Sequence, residues 1–195
     1  MGGKLIQKAF VRSLSRHLSL LPAGLVAWLA LAACSPALNW REVRPDNTRL
    51  SLLLPCKPDK AEKIVPLGGL PTTLTLLGCD AAGATFAVAV ADLGDPARAA
   101  PVLAQWQSLT LAHMKAGPVG TGAGTSQLLP LKLPGAAAQP APVRVVAQGQ
   151  RADGTAVSGQ AAYFAQGSQV FQAVIYAKEI TPEAAETFFS SFKFQ

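Results

Sequence analysis

Between residues 40 and 91 apolar and polar positions alternate with a period of two, the mark of strands that bury one face. Trp40-Arg41-Glu42-Val43-Arg44 is the first such stretch, Pro45-Asp46-Asn47 supplies turn chemistry, and Leu50-Ser51-Leu52-Leu53-Leu54 reads as a second, largely buried strand ended by Pro55. Residues 60–67 predict a third strand, Gly68-Gly69 a hairpin turn and residues 72–77 a fourth strand. After a turn at Asp80-Ala81-Ala82-Gly83, Thr85-Phe86-Ala87-Val88-Ala89-Val90-Ala91 sets large against small at every step, as in a sheet with a packed layer on one side.

At Asp95-Pro96 the period changes: Asp is a helix cap, and Pro at the first helical position loses no hydrogen bond. Pro101 delays the regular helix by a turn. Val102, Leu103, Trp106, Leu109, Thr110, His113 and Met114 then fall within about 140° of arc, a core-facing stripe that lays the helix on the sheet and makes His113 a hydrogen-bonded core histidine. Residues 116–126 hold four glycines and a proline and predict a mobile loop. After residues 128–133 and a Pro- and Gly-containing turn region, three further strands are expected at residues 142–148, 156–165 and 169–177, with Gly154 and Gly167 at hairpin turns. Thr181-Pro182-Glu183 starts a second helix, and Phe188, Phe189, Phe192 and Phe194 add apolar bulk after it. The expected fold is α+β: a single domain, residues 40–195, with an antiparallel β-sheet and two helices packed on it.

Residues 1–39 have a different character. Lys4, Lys8, Arg12 and Arg16 form an acid-free basic lead, and residues 18–33 are apolar or small apart from Ser19, which is a signal peptide's layout. The run is broken by Pro22 and Gly24 and is shorter than the roughly 20 apolar residues of a membrane-spanning helix. Leu31-Ala32-Ala33-Cys34 resembles the lipobox of bacterial lipoproteins. That resemblance implies a cleaved signal peptide at residues 1–33, lipidation of Cys34 as the mature N-terminus, and a short lipidated tether at residues 34–39. Several acyl chains make such attachment effectively permanent. The partner so implied is the lipid bilayer, with the protein facing the periplasm. Ser35, in place of the Asp that retains some lipoproteins at the inner membrane, points to the outer membrane.

The charge changes with this reading. The full chain has 17 Lys and Arg against 11 Asp and Glu, for a net +6, but four of the cations lie in the signal, leaving 13 against 11. The remaining cations are interleaved with acids and form no basic stripe, so a nucleic-acid partner is not expected. The basic residues between 41 and 63 lie close in sequence to the tether and can meet anionic headgroups. Assigning Cys34 to lipid leaves Cys56 and Cys79, which are expected to form a disulfide in an oxidising compartment and to pin the first hairpins.

From residue 40 to 194 the order of motifs resembles the PsbP-like/DcrB-like superfamily of α/β sandwiches: a strand ending in Leu54-Pro55, the residue 86–92 strand before a long helix, a late hairpin through Tyr163-Phe164 and Val170-Phe171, and the closing Phe188-Phe189-Ser190-Ser191-Phe192. The resemblance implies a PsbP-like sandwich and no catalytic residues. The Cys56 and Cys79 pair is not part of that pattern.

Local motifs for chemistry are missing. There is no Gly-x-Ser-x-Gly and no His-x-x-x-His, and His113 is the sole histidine after residue 33. Gly120-x-Gly122-x-Gly124 lacks the Gly-Lys-Ser/Thr end of a phosphate loop. Cys56 and Cys79 are too far apart for a Cys-x-x-Cys redox motif, and with His113 they fall short of a zinc ligand set. No catalytic, cofactor-binding or metal residue is therefore assigned. The function expected is a membrane-anchored envelope lipoprotein acting as a non-enzymatic binding or accessory module for a protein, lipid or cell-wall partner. The alternative is a hydrolase-like envelope enzyme whose site no local motif reveals.

Overall fold

In the computed structural model, residues 37–120 and 124–195 are described; the signal peptide and Cys34 lie outside them. The expected strands form, with two more than expected, at residues 127–130 and 193–194. They are β1 (Arg41–Val43), β2 (Leu50–Leu54), β3 (Asp59–Leu67), β4 (Leu70–Ala81), β5 (Ala84–Asp92), β6 (Gln127–Pro130), β7 (Val143–Gln150), β8 (Ala156–Gln166), β9 (Gln169–Ala177) and β10 (Lys193–Phe194). The helices are α1 (Ala99–His113) and α2 (Pro182–Ser190).

The strands divide into two sheets rather than the single one expected. β3-β4-β5-β9-β8-β7-β6 make a seven-stranded sheet and β1-β2-β10 a three-stranded one. Every pairing between strands is antiparallel. Tight hairpins follow from the turn residues: Gly68 and Gly69 both have positive φ, at 62° and 80°, which the two-residue turn joining β3 to β4 requires. β4 is longer than its Thr- and Leu-rich centre suggested. It runs to Ala81, so the turn shrinks to Ala82 and Gly83.

The large-small alternation of β5 separates two cores. Ala87, Ala89 and Ala91 face α1 together with Ala161 and Ala165 of β8, and these small side chains let the helix lie close to the sheet. Phe86, Val88 and Val90 face the opposite way, where Phe164, Phe171 and Ile175 join Leu50, Leu52 and Leu54 of β2 and Phe188 of α2. The architecture is thus three layers: α1, the large sheet, and the small sheet with α2. The two helices lie on opposite faces.

Capping matches the sequence. Asp95 accepts a hydrogen bond from Ala97 N, a 3-10 turn spans Pro96–Arg98, and the regular helix begins at Ala99 as the Pro101 delay predicts. Thr181 accepts from Ala184 N to cap α2. The α1 stripe needs correction: Leu109 is 56% exposed, and His113 is exposed rather than a core histidine. The buried positions are Ala99, Val102, Leu103, Trp106 and Leu111, with Met114 just past the helix end. This contact line winds around the helix instead of running along one wheel sector, since the buried side shifts from Val102 and Trp106 to Leu111 and Met114 over the last turn.

Candidate functional site

The site calls begin with the cysteines. Cys56, just past β2, and Cys79, in β4, are joined by a disulfide with Cα atoms 6.0 Å apart. The bond links the β1-β2 hairpin to the β3-β4 hairpin, as expected. It ties the end of the small sheet to the large one, because β2 and β4 belong to different sheets. Cys34 lies outside the described residues.

Beside the disulfide is an open depression of about 410 Å3, lined by Lys57, Asp59, Asp80 and Thr85 as well as the two cysteines. Thr85 Oγ1 donates to Asp80 Oδ1 at 2.6 Å, which fixes one carboxylate on the rim. A second depression, of about 280 Å3, forms where β1, β2, β10 and the end of α2 meet. There Lys193 Nζ lies 3.4 Å from Glu42 Oε2, and Arg44 Nη2 lies 2.8 Å from Glu42 Oε1. Hydrogen bonds from Arg44 and Lys193 hold the Glu42 carboxyl below its ordinary pKa. Ser191 Oγ accepts from Leu53 N at 2.9 Å and donates to Phe188 O at 2.6 Å, so it is fully engaged in closing α2 onto β2. Ser51 Oγ is buried without a protein hydrogen-bond partner. A nucleophilic serine requires a base within hydrogen-bond reach, and neither hydroxyl here has one.

Under α1 is a polar contact that no local motif reveals. Gln172 Nε2 donates to Thr110 Oγ1 at 2.8 Å and to the Tyr163 hydroxyl at 3.2 Å, pegging the helix to β9 and β8. Burial pushes the pKa values of Tyr163 and Tyr176 up, so both stay neutral in the physiological range. The Tyr163 hydroxyl is satisfied by Gln172 within this layer contact.

The third feature is the outer edge of the large sheet. Among the described residues β3 pairs with β4 alone, from Asp59↔Gly78 to Leu67↔Leu70, and its other side is open. Ile64 on this strand is 75% exposed. Lys60 Nζ lies 2.8 Å from Asp46 Oδ2 and 3.2 Å from Glu62 Oε1, and these two carboxylates raise the Lys60 pKa. The β3 charges were legible in the sequence, whereas their position on an edge was not, since strand order is a property of the assembled sheet. The Glu42, Ser51 and Lys193 cluster was equally illegible, being drawn from three distant parts of the chain.

Among the described residues no group of three or more His, Cys, Asp or Glu is arranged to hold a metal ion, and no helix is long and apolar enough to cross a membrane. Among the described residues the surface carries two open depressions and a free strand edge.

No family model matches the chain, and no curated protein matches it. A solved structure from Pseudomonas aeruginosa, of a protein described as of unknown function, overlaps 74% of this chain and 85% of that one, with 14% identity and a TM-score of 0.36. Likeness of that size carries no argument about function.

Proposed function

We propose that this chain is a bacterial envelope lipoprotein, anchored through diacylated Cys34 and facing the periplasm, whose domain acts as a non-enzymatic binding module. The observation that carries the reading is the fate of the three cysteines. Cys56 and Cys79 are bonded to each other, the state favoured by an oxidising compartment outside the cytosol. That leaves Cys34, in the Leu31-Ala32-Ala33-Cys34 lipobox after a basic lead and an apolar run, as the one thiol for lipid. Ser35 next to it favours the outer membrane by the same resemblance. Binding rather than catalysis is supported by the shallow depressions at Asp59 and Ser51 and by serines without a base.

The finer fold assignment, to the PsbP-like sandwiches, rests on element order: a Leu-rich strand before Pro55, a meander into α1, a late hairpin and a closing Phe-rich helix. The three-stranded sheet beside α2 is a feature that this assignment must accommodate.

The test is Cys34→Ser in cells fed a labelled fatty acid. The parent chain is expected to take up label, lose its first 33 residues and sediment with membranes. The variant is expected to stay unlabelled and to accumulate with its signal uncleaved or as a soluble form. A variant with the parent's mass and membrane association would overturn the reading.

A further inference from the structure

The open edge of β3 is nine residues long, and alternate N–H and C=O groups along such an edge point away from the sheet, with no strand among the described residues to pair them. The opposite edge, β6, has four residues and ends in Pro130, which blunts it. β3 is also held firmly at both ends. Arg98 Nη2 donates to Leu67 O at 3.3 Å and Gly68 N donates to Gln105 Oε1 at 3.1 Å, which clasps the hairpin tip to α1. At the other end Asp59 lies opposite Gly78, the neighbour of the disulfide-bonded Cys79. An edge ordered in advance forfeits little conformational entropy when a strand adds to it.

We propose that this edge is occupied by a second copy of the chain, the two β3 strands pairing antiparallel about a two-fold axis at Ala61, so that two seven-stranded sheets become continuous. Backbone parity limits the choices. In a regular antiparallel ladder a residue whose amide points outward must face another of the same kind, so in a symmetric pair the axis passes through a residue. Placed at Asp59, Lys60, Glu62 or Lys63, the axis sets a charge directly against its own copy, which is destabilising. At Ile64 or Val65 it leaves the charges unmatched. At Ala61 it sets Asp59 opposite Lys63 of the second copy and Lys60 opposite Glu62 of the second copy, each twice by symmetry. The exposed Ile64 then meets Pro58 of the second copy.

The charges are available for this exchange. Asp59 and Lys63 form no ion pair among the described residues, and Lys60 keeps Asp46 when Glu62 turns to the second copy. The contact depends on β3 alone and holds whether or not Cys34 carries lipid.

The test uses the full chain extracted from membranes or purified as it is produced. Ala61→Cys is expected to give a covalent dimer on mild oxidation, because directly opposed residues lie within disulfide reach. Lys63→Cys is expected not to cross-link, since the two copies of residue 63 lie four positions apart along the strand, or about 14 Å, beyond the roughly 7 Å limit between Cα atoms. This control also reveals any cross-link that runs through Cys34. Independently, Lys63→Glu is expected to weaken self-association on the order of ten-fold in sedimentation equilibrium, and adding Asp59→Lys to restore it. Ala61→Cys cross-linking no faster than Lys63→Cys, capture of a different protein, or failure of the charge swap to restore association would each overturn the proposal.

Discussion

Gly149 marks where α1 comes to rest on the sheet. A Cβ built there would lie 2.1 Å from Met114 O, and the same carbonyl accepts a hydrogen bond from Gln150 N at 2.6 Å. The last carbonyls of a helix need partners, and here β7 supplies one at a distance that leaves no room for a side chain. Gly149→Ala is therefore expected to destabilise the domain by about 1–3 kcal/mol, read as a lower urea midpoint at unchanged slope. An unchanged midpoint would mean that α1 does not end on β7. Nothing in the sequence singled out this glycine, because its neighbour across the contact is 35 positions away. Asp92 illustrates a smaller effect. A hydrogen bond from Gly94 N lowers its pKa, so its contribution to stability is present at neutral pH and is lost as pH falls through the lowered value, below the ordinary carboxylate range of about 4. His113 shows where the wheel misleads: it falls within the apolar arc, yet the buried side has moved to Leu111 and Met114 by the last turn and His113 is exposed.

At the scale of elements, the disulfide and the hairpins have different work. The sequence suggests that Cys56 and Cys79 join neighbouring hairpins, and the pairing itself was legible from cysteine arithmetic. That the bond crosses between sheets was not, since β2 pairs with β1 and β10 rather than with β3. It closes a separation of 23 residues, for which chain entropy predicts roughly 3 kcal/mol of stabilisation. Reduction, or Cys56→Ala with Cys79→Ala, is expected to lower the guanidinium midpoint accordingly. A midpoint indifferent to reductant would indicate that other contacts already hold the small sheet in place. The capping signals at Asp95 and Thr181 translated directly into helix starts because caps act within one turn of chain. β10 is only two residues long and pairs with Ser51 and Leu50, so it had no pattern of its own to announce it.

For the whole molecule, the seven-stranded sheet separates a largely aliphatic core under α1, where alanines of the sheet meet Val102, Leu103 and Trp106, from a Phe-rich core under α2. Phe188 is central to the second, with ring centroids 5.6 Å from Phe86, 5.0 Å from Phe189 and 5.1 Å from Phe192. Trp40, 5.8 Å from Phe86, extends the same cluster to the start of the domain. Phe188→Ala is expected to cost about 3–5 kcal/mol, seen as a fall in melting temperature, because it opens a void where α2, β2 and the large sheet meet. A loss below 1 kcal/mol would show that α2 is not integral to this core. What the sequence by itself determined was mostly local: the period-two strands, the glycine turns, the capped helix starts and with them the α+β class depend on residues within a few positions of one another, and the Cys56–Cys79 pairing followed from composition. The tertiary structure alone decided that there are two sheets, that the helices lie on opposite faces, that the disulfide joins layers and that β3 is an open edge. Strand order and layer contact are settled by burial among segments far apart in the chain, and no short-range pattern records which of several apolar faces will meet.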